Sequence, residues 1–388
     1  MIQNKKLYPP AKIGIIGGGQ LGKMISAEAK RMGYYVEVLD PTENSPASQV
    51  SDHQLVAGFD DKKAFEMLAK ECDVITYEFE HIDAEILIEL EKKGHKIYPS
   101  GKTLKVLQDK YEQKMMLKNA DIPVPDFFKV DNESKNEVPD FFEYPFMLKT
   151  RCGGYDGKGN CVVSSKDEFV PAVESFKGHP LMGEKFVDFE KELSVVAARD
   201  LNGNRVFYPV VENIHKESIL RFTKAPANVS QNIAEKAKEI AGRVLDALND
   251  CGIFCIEMFL GRDGEVYVNE IAPRPHNSGH YTIEACICSQ FEQLVRIITG
   301  MPLGSAEQVR PCAMANILGC DEVEGRYTVE GIEEILKEKA AYLHLYGKHS
   351  TKKLKKIGHL TVLDDNAEEA QKRAELMLEK IKIKPMSF

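Results

Sequence analysis

Glu257-Met-Phe-Leu-Gly-Arg-Asp-Gly-Glu-Val-Tyr-Val-Asn-Glu270 predicts two apolar strands around a Gly-Arg-Asp-Gly turn, with one acid near the far end of each. A hairpin centred between Arg262 and Asp263 pairs Leu260 with Glu265 and Glu257 with Val268. Side chains alternate with period two, so Glu270 falls on the face of Val268 and hence of Glu257. Cys255, Phe259 and Val266 are placed on that face as well. Two carboxylates in such apolar company are costly unless a cation sits between them. Mg²⁺ is commonly held by one or two carboxylates together with substrate phosphates. The pair therefore points to a metal-dependent enzyme that handles phosphate. A surface hairpin with its acids in water is the plainer alternative, since charged residues are mostly exposed. The run Ile-Ala-Pro-Arg274-Pro-His276-Asn277-Ser-Gly-His280 weighs against it, because such polar density follows directly on a strand end.

Working back toward the N-terminus, Lys12–Ile16 reads as a buried strand that runs into Gly17-Gly-Gly-Gln-Leu-Gly22. Leu21, Met24, Ile25, Ala29 and Met32 then recur at helical spacing, and Gly33 ends the helix. Strands are expected at 36–39, 74–77 and 97–98, and helices at 61–70 and 83–93. This alternation predicts a doubly wound, Rossmann-like α/β unit. A Lys-rich helix over 103–119 and the link Ile122-Pro-Val-Pro125 follow. Short strands at 146–149, 161–163 and 181–187 surround a second Gly-rich loop. From Lys191 the pattern is antiparallel, with strands near 192–199, 205–211, 254–260 and 265–270. Helices are expected at 230–250, 282–299 and 366–382. The fold class is α/β and α+β, in three units: 1–105, 106–187 and 188–388.

Composition narrows the function classes. At 388 residues the chain exceeds one ordinary core. No apolar run approaches the roughly 20 residues that span a bilayer. Met1–Pro10 lacks the apolar core of a signal peptide, so a cytoplasmic address is expected. A net charge of −9 argues against nucleic acid as the main partner. Nine cysteines without a Cys-x-x-Cys pair favour free thiols over a disulfide frame or zinc site.

The two Gly-rich loops carry different weight. Gly17–Gly22 satisfies G-x-G-x-x-G after a strand, and Asp40 stands near the place of a ribose-binding acid, which would suit a nicotinamide enzyme. The physical content is narrower: free N–H groups at a helix start suit any phosphorylated sugar. Lys149-Thr-Arg-Cys-Gly-Gly-Tyr-Asp-Gly-Lys-Gly159 is not a Walker loop, because no Gly-Lys-Ser/Thr opens a helix. Its glycines can fold over a polyphosphate, with Lys149 and Lys158 supplying charge. Peptide groups of Gly183-Glu-Lys-Phe-Val187 could meet an adenine edge, and Glu192 could accept from ribose hydroxyls.

A lysine before a Gly-rich lid, an acidic hinge and two late metal-binding acids together resemble the ATP-grasp superfamily. Within it the chain is similar to the N5-carboxyaminoimidazole ribonucleotide synthetase family. The matching pieces are Gly17–Met24, Thr76-Tyr-Glu-Phe-Glu80, Gly153–Gly159, Glu184–Val187, Asn269–His280 and Gly358-His359, in the expected order over essentially the whole chain. The resemblance implies an ATP-grasp fold behind a Rossmann-like pre-ATP-grasp domain. It implies ATP, with Mg²⁺ or Mn²⁺, bicarbonate and 5-aminoimidazole ribonucleotide as reactants, a homodimer, and a product passed to a separate mutase.

Residue roles follow from the same resemblance. Glu257 and Glu270 would hold the metal. Nucleotide contacts would come from Lys110, Lys149, Gly154, Tyr155, Asp156, Gly157, Lys158, Gly159, Glu184, Lys185, Phe186, Val187, Glu192, His215 and Asn269. Arg274, His276 and Asn277 would surround carboxyphosphate, with His276 relaying a proton from the attacking amine. Gly19, Gln20, Leu21, Glu78, Tyr155, Asp156, Lys348 and Lys355 would face the ribonucleotide, the first Gly loop cradling it near its phosphate. The chain departs from the family where Lys352, Lys353, Lys355 and Lys356 replace an arginine-rich run, and where Lys110 replaces an arginine. The alternatives are another ATP-grasp ligase, formylating or biotin-carboxylating, a non-catalytic nucleotide-binding regulator, or an NAD-dependent dehydrogenase.

Overall fold

The structure, a computed structural model, describes residues 6–130, 138–154 and 159–386. At the N-terminus, β1 (Lys12–Ile16), β2 (Tyr35–Leu39), β3 (His53–Leu55) and β4 (Val74–Tyr77) form a parallel sheet ordered β3-β2-β1-β4. Both faces are covered, which is why β1 reads as a continuous apolar run. Ile13 and Ile15 pack with Leu21, Ile25 and Ala29 of α1 (Gln20–Arg31). Ile16 packs with α2 (Lys62–Glu71) and α3 (Ala84–Lys92) through Phe65, Leu68, Ile86 and Leu87. The strand expected at 97–98 amounts to one bridge, Ile75 with Ile97. β3 escaped notice because His-Gln-Leu is too short and polar to show a pattern.

The Lys-rich helix expected over 103–119 is two helices, α4 (Gly101–Gln108) and α5 (Lys110–Asn119). Asp109 divides them. Its carboxylate accepts from the N–H groups of Tyr111 at 2.9 Å and Glu112 at 3.3 Å, capping α5. Arg151, just before the second Gly loop, grips the same carboxylate at 2.5 and 3.0 Å. The loop base is thereby tied to the start of α5. The middle unit is an antiparallel sheet ordered β5-β8-β6-β7, from β5 (Phe127–Val130), β6 (Phe146–Thr150), β7 (Asn160–Val163) and β8 (Leu181–Lys185), backed by α6 (Lys166–Ser175). Phe128, Phe142, Phe146 and Phe169 form its core.

The third sheet has nine strands. In chain order the elements from here on are β9 (Phe189–Arg199), β10 (Arg205–Phe207), β11 (Val211–Lys216), β12 (Ile219–Ala225), α7 (Gln231–Leu248), β13 (Gly252–Gly261), β14 (Val266–Ala272), α8 (Thr282–Ala285), α9 (Gln290–Ile298), β15 (Cys312–Leu318), β16 (Tyr327–Glu330), α10 (Ile332–Leu336), β17 (Ala341–Leu345), β18 (Lys356–Leu363), α11 (Ala367–Leu378) and β19 (Lys382–Pro385). The sheet runs β14-β13-β9-β11-β12-β15-β18-β17 with β10 beside β9, while β16 and β19 pair separately. The strand expected over 205–211 is interrupted at Tyr208-Pro-Val210, where proline offers no N–H to the ladder. The helix expected over 282–299 is broken into α8 and α9, and Ser289 caps α9 through the Glu292 N–H at 3.0 Å. The last helix stops at Leu378, short of the expected 382.

One face of this sheet is apolar. Leu193, Val195, Ala197, Ile256, Met258, Val266 and Val268 pack against Ala237, Ile240, Ala241, Val244 and Leu245 of α7. The opposite face carries the polar residues described next. All nine cysteines are free, and Cys255 and Cys312 lie buried among apolar neighbours.

Candidate active site

The hairpin that carries the acids is built differently from its sequence reading. Leu260 pairs with Val266, Phe259 with Tyr267 and Met258 with Val268, and a bulge then brings Glu257 directly opposite Glu270. The turn is thus one residue out from the expected centre, and Val266 and Val268 lie on the α7 face, not beside Glu257. Asn269 is the extra residue. The bulge flips Glu270 back onto the side of Glu257, so two departures from regular alternation cancel. In the adjoining register Glu257 pairs with Ser194 and Phe259 with Glu192 on β9. Glu192, Ser194, Glu257, Phe259 and Glu270 therefore share one face.

Each acid meets a cation. Glu270 lies 2.7 Å from Lys110 Nζ at the start of α5, and Glu257 lies 2.9 Å from His276 Nε2. Burial alone would raise Glu257, but His276, then His215 and Lys110, hold its pKa down at about 2. Burial alone would lower His276, but Cys255 and Glu257 bring it up to about 10. Lys110 is likewise raised against burial by Glu270, Glu184 and Glu257. Among the described residues no group of three or more His, Cys, Asp or Glu is arranged to hold a metal by itself. Two acids side by side fit Mg²⁺ that completes its shell with phosphate oxygens and water. They do not fit a closed zinc site.

Behind this pair lies a buried ion triad. Glu184 on β8 is 3% exposed and lies 2.7 Å from Lys114 Nζ and 2.5 Å from Lys149 Nζ. Lys114, one turn after Lys110 on α5, also donates to the Val268 carbonyl at 3.2 Å. Its neighbour Gln113 bonds both the N–H and the carbonyl of Ile271, at 3.0 and 3.4 Å, docking α5 on β14. Burial pushes the Glu184 carboxyl up, yet Lys114 and Lys149 hold it down at about 2. Glu184→Gln leaves two ammonium groups without their partner and is expected to cost about 3–5 kcal/mol at neutral pH. A carboxyl lowered from its ordinary 4.5 stabilises the fold fully above that pH and loses the contribution as pH falls toward 2. Urea unfolding should therefore show a wild-type advantage at pH 7 that narrows on acidification.

Of the expected hinge Glu184–Val187, Glu184 and Lys185 belong to β8. Glu184 pairs with Phe127 and Met147, so its peptide lies inside the ladder, and the Lys185 N–H donates to the Asp126 carbonyl at 2.8 Å. Phe186 and Val187 lie beyond the strand, and Phe186 is exposed. Farther along, Phe189 stacks on Phe259 with ring centroids 4.8 Å apart, and Glu192 lies 2.6 Å from His215 Nδ1. In the Gly-rich loop, Gly153 and Gly154 are described, whereas Tyr155, Asp156, Gly157 and Lys158 lie outside the described residues. Gly159 accepts the Thr150 N–H at 2.8 Å with φ +84°, and a Cβ there would come 2.4 Å from Thr150 Oγ1. Only glycine closes the loop base in this way.

The polar segment after β14 connects the large sheet with the N-terminal unit. Arg274 Nη2 lies 2.9 Å from Glu80 Oε1, beyond the end of β4. Asn277 and Asn316 of β15 exchange amide hydrogen bonds of 3.0 and 2.7 Å. His276 Nδ1 lies 2.9 Å from Ser278 Oγ. Lys114 and Asn316 were not singled out in the sequence, and Glu80 and Ser278 entered only within longer matching stretches. Lys114 had a readable signal, its spacing of four from Lys110 on a helix.

The first Gly loop is occupied by the protein's own acids. The Gly18 N–H donates to Asp40 Oδ2 at 2.7 Å, the Gly22 N–H to Glu78 Oε2 at 2.5 Å, and the Gly19 N–H to Glu78 Oε1. This corrects the expectation of free N–H groups awaiting a phosphate, and Asp40 is a loop brace here. A Cβ at Gly17 would come 2.4 Å from Glu78 Cγ, so the glycine admits the carboxylate. Burial raises the Glu78 carboxyl against the pull of the Gly22 and Gly19 donors. Leu21 is packed in the core, which removes its side chain from any ligand, while Gln20 is half-buried at the helix start.

Facing this loop is the segment between β17 and β18. The Tyr346 carbonyl accepts from Lys23 Nζ at 3.0 Å, and the Gly347 carbonyl from Gln49 Nε2 at 2.8 Å. His349 Nε2 lies 3.0 Å from the Asn44 carbonyl. Lys348 sits over the Tyr346 ring at 5.7 Å, near enough to Glu78 to oppose the rise that burial causes there. Lys355 Nζ lies 3.4 Å from Ser350 Oγ, and burial, then Lys352, lowers its pKa. Lys353 is paired with Asp321 at 3.0 Å.

Comparison with known proteins decides the family. Residues 10–108 match the ribonucleotide synthetase preATP-grasp domain, 115–291 the ATP-grasp domain, and 312–373 the phosphoribosylaminoimidazole carboxylase C-terminal domain. The N5-carboxyaminoimidazole ribonucleotide synthase of Bacillus subtilis is 43% identical over 366 residues, which cover 94% of each chain. The chain belongs to the N5-carboxyaminoimidazole ribonucleotide synthase family. It is thus an ATP-grasp ligase, with the ATP-grasp fold and an N-terminal preATP-grasp domain. The crystal structure of the Thermotoga maritima N5-carboxyaminoimidazole ribonucleotide synthetase superposes with a TM-score of 0.88 at 46% identity, covering 97% of this chain and all (100%) of that one. The Aspergillus clavatus synthase, in complex with ADP and 5-aminoimidazole ribonucleotide, superposes with a TM-score of 0.87 at 36% identity, covering 98% and 99%. The chain spans 66% of the longer chloroplastic phosphoribosylaminoimidazole carboxylase of Vigna aconitifolia, at 40% identity. Among the described residues no helix is long and apolar enough to cross a membrane.

Proposed function

We propose that the protein couples ATP cleavage to carboxylation of the amine of 5-aminoimidazole ribonucleotide by bicarbonate, through carboxyphosphate, in de novo purine biosynthesis. The observation that carries this reading is the in-register pair Glu257 and Glu270 on one sheet face, with His276 on Glu257 and Arg274, two residues before His276, on Glu80. Bound there, a divalent ion supplies charge neutralisation for the phosphoryl transfer. Lys149 and Lys114 meet on Glu184 near the loop base, and Lys110, one turn before Lys114, meets Glu270. Gly154 and Gly159, at the described ends of the Gly-rich loop, border the phosphates. Phe186 and Val187 meet adenine, Glu192 and His215 the ribose side, and Asn269 the metal end. Bicarbonate oxygen attacks the γ-phosphorus and ADP leaves. Arg274 then holds the carboxyl and phosphoryl ends of the intermediate while the amine nitrogen attacks the carboxyl carbon, the C–O bond to phosphate breaks, and inorganic phosphate leaves with the amine proton.

The ribonucleotide lies between the first Gly loop and the 346–355 segment, with Gln20 and Glu78 on one side and Lys348 and Lys355 on the other. Glu78 is already engaged with the loop N–H groups, so it orders the loop as well as facing the sugar. Lys348→Ala is expected to raise KM for the ribonucleotide about 10-fold, as for a lost charged hydrogen bond. KM for ATP should be unchanged. A shift in the ATP value instead would misplace Lys348.

The three units 1–105, 106–187 and 188–388, a cytoplasmic location, a homodimer and transfer of the product to a separate mutase complete this reading. Its test is ADP formation by the purified protein. ADP should require bicarbonate and 5-aminoimidazole ribonucleotide together. Formation supported by formate or biotin in place of these would favour another ATP-grasp ligase.

A further inference from the structure

A buried chain of hydrogen bonds leads from His276 into the large sheet. Thr223 Oγ1 donates to Asn213 Oδ1 at 2.9 Å, and Asn213 Nδ2 donates to Ser194 Oγ at 2.9 Å. Ser194 Oγ lies 2.9 Å from Ser278 Oγ, which lies 2.9 Å from His276 Nδ1. Thr223, Ser194 and Ser278 are fully buried and Asn213 nearly so. Hydroxyls at such depth are costly unless bonded, and alanine would serve packing equally well.

The Asn213 amide nitrogen can only donate, so Ser194 Oγ accepts from it, and either hydroxyl can donate between Ser194 and Ser278. Ser278 Oγ engages His276 Nδ1 in either charge state, donating to the neutral ring and accepting from the imidazolium. The Ser278 backbone N–H lies 3.3 Å from the same nitrogen. Cys255 Sγ, 3.5 Å from Ser278 Oγ, adds at most a weak donor. At the far side of the ring, Nε2 faces Glu257 Oε1 at 2.9 Å, and a carboxylate only accepts. Nε2 therefore bears hydrogen whether the ring holds one proton or two.

We propose that Ser278 and Ser194 are positioning residues that fix the His276 ring through Nδ1 and so present Nε2–H as a donor to the carboxylating intermediate. The inference rests on the placement of His276 given above and changes its role. His276 offers a hydrogen bond to developing charge and does not take the proton of the attacking amine.

The test is a cycle of variants assayed for ribonucleotide-dependent ADP formation. Ser278→Ala is expected to lower kcat about 10-fold while KM for both substrates stays within about 2-fold. His276→Gln retains an N–H near the Nε2 position but has no counterpart of Nδ1. It should keep at least about 10-fold more kcat than His276→Ala, and adding Ser278→Ala to it should change kcat less than about 2-fold. Ser194→Ala, one link further back, should give a weaker kcat loss of the same kind and serves if Ser278→Ala folds poorly. Equal loss from Ser278→Ala in both backgrounds would make the serine merely structural and overturn the proposal. A His276→Gln variant as inactive as His276→Ala would overturn it by requiring a base. The wild-type rate reports on the function itself, and the ratios among variants report on the serines.

Discussion

Replacing Glu270 with alanine is expected to reduce ATP turnover at least about 1,000-fold, a loss of roughly 4 kcal/mol of transition-state stabilisation. The fold should survive, because the Glu270 side chain is 45% exposed and is tied down by an ion pair with Lys110. Thermal unfolding a few degrees below wild type is expected, because Lys110, only 19% exposed, loses its partner. Glu257→Ala should match the kinetic loss but cost more stability, since it strips His276 of its counter-ion. Near-normal turnover by Glu270→Ala would remove the metal assignment. Glu270→Gln separates charge from size: its oxygen can still coordinate, yet it lacks the charge that faces Lys110 and the phosphates.

Arg274→Ala is expected to suppress carboxylation about 100- to 1,000-fold while ADP binding stays within a few-fold, the scale seen when one fixed donor to a developing anion is removed. Arg274 reaches across from the loop after β14 to Glu80, and its guanidinium is held at two atoms, by Glu80 and by the Pro275 carbonyl at 3.1 Å. A planar group anchored on one side can present the other to an anion. Lys would keep the charge but lose this double hold, so Arg274→Lys should recover little. Carboxylation at the wild-type rate in Arg274→Ala would refute the role, and a matching loss of ADP affinity would move the residue to the nucleotide. Bicarbonate-dependent ADP release measured with and without the ribonucleotide distinguishes the two.

Much of the fold was legible because its signals are local. The apolar run of β1, the spacing of Leu21, Ile25 and Ala29, and the pattern that made α7 amphipathic are all short-range. Elements that failed to register depend on tertiary partners. β3 pairs with β2 through only three residues, and the break between α4 and α5 follows from an aspartate cap strengthened by Arg151. At the site, residue identity was readable and geometry was not. The acids were found, but their meeting depends on a bulge at Asn269 that no period-two reading can contain. The first Gly loop had the right composition for an anion, yet Asp40 and Glu78 fill its N–H groups from 22 and 59 residues away. Ser194, Asn213 and Thr223 carry no motif at all; only the register of β9, β11 and β12 lines them up behind His276.

A crystal structure of the protein with MgADP is the most direct test of the central claim, that two opposed glutamates hold the divalent ion at the nucleotide. The expected result is an ion about 2.1 Å from one oxygen each of Glu257 and Glu270 and from ADP phosphate oxygens. An ion bound to the nucleotide elsewhere, with Glu270 still on Lys110 and Glu257 still on His276, would contradict it.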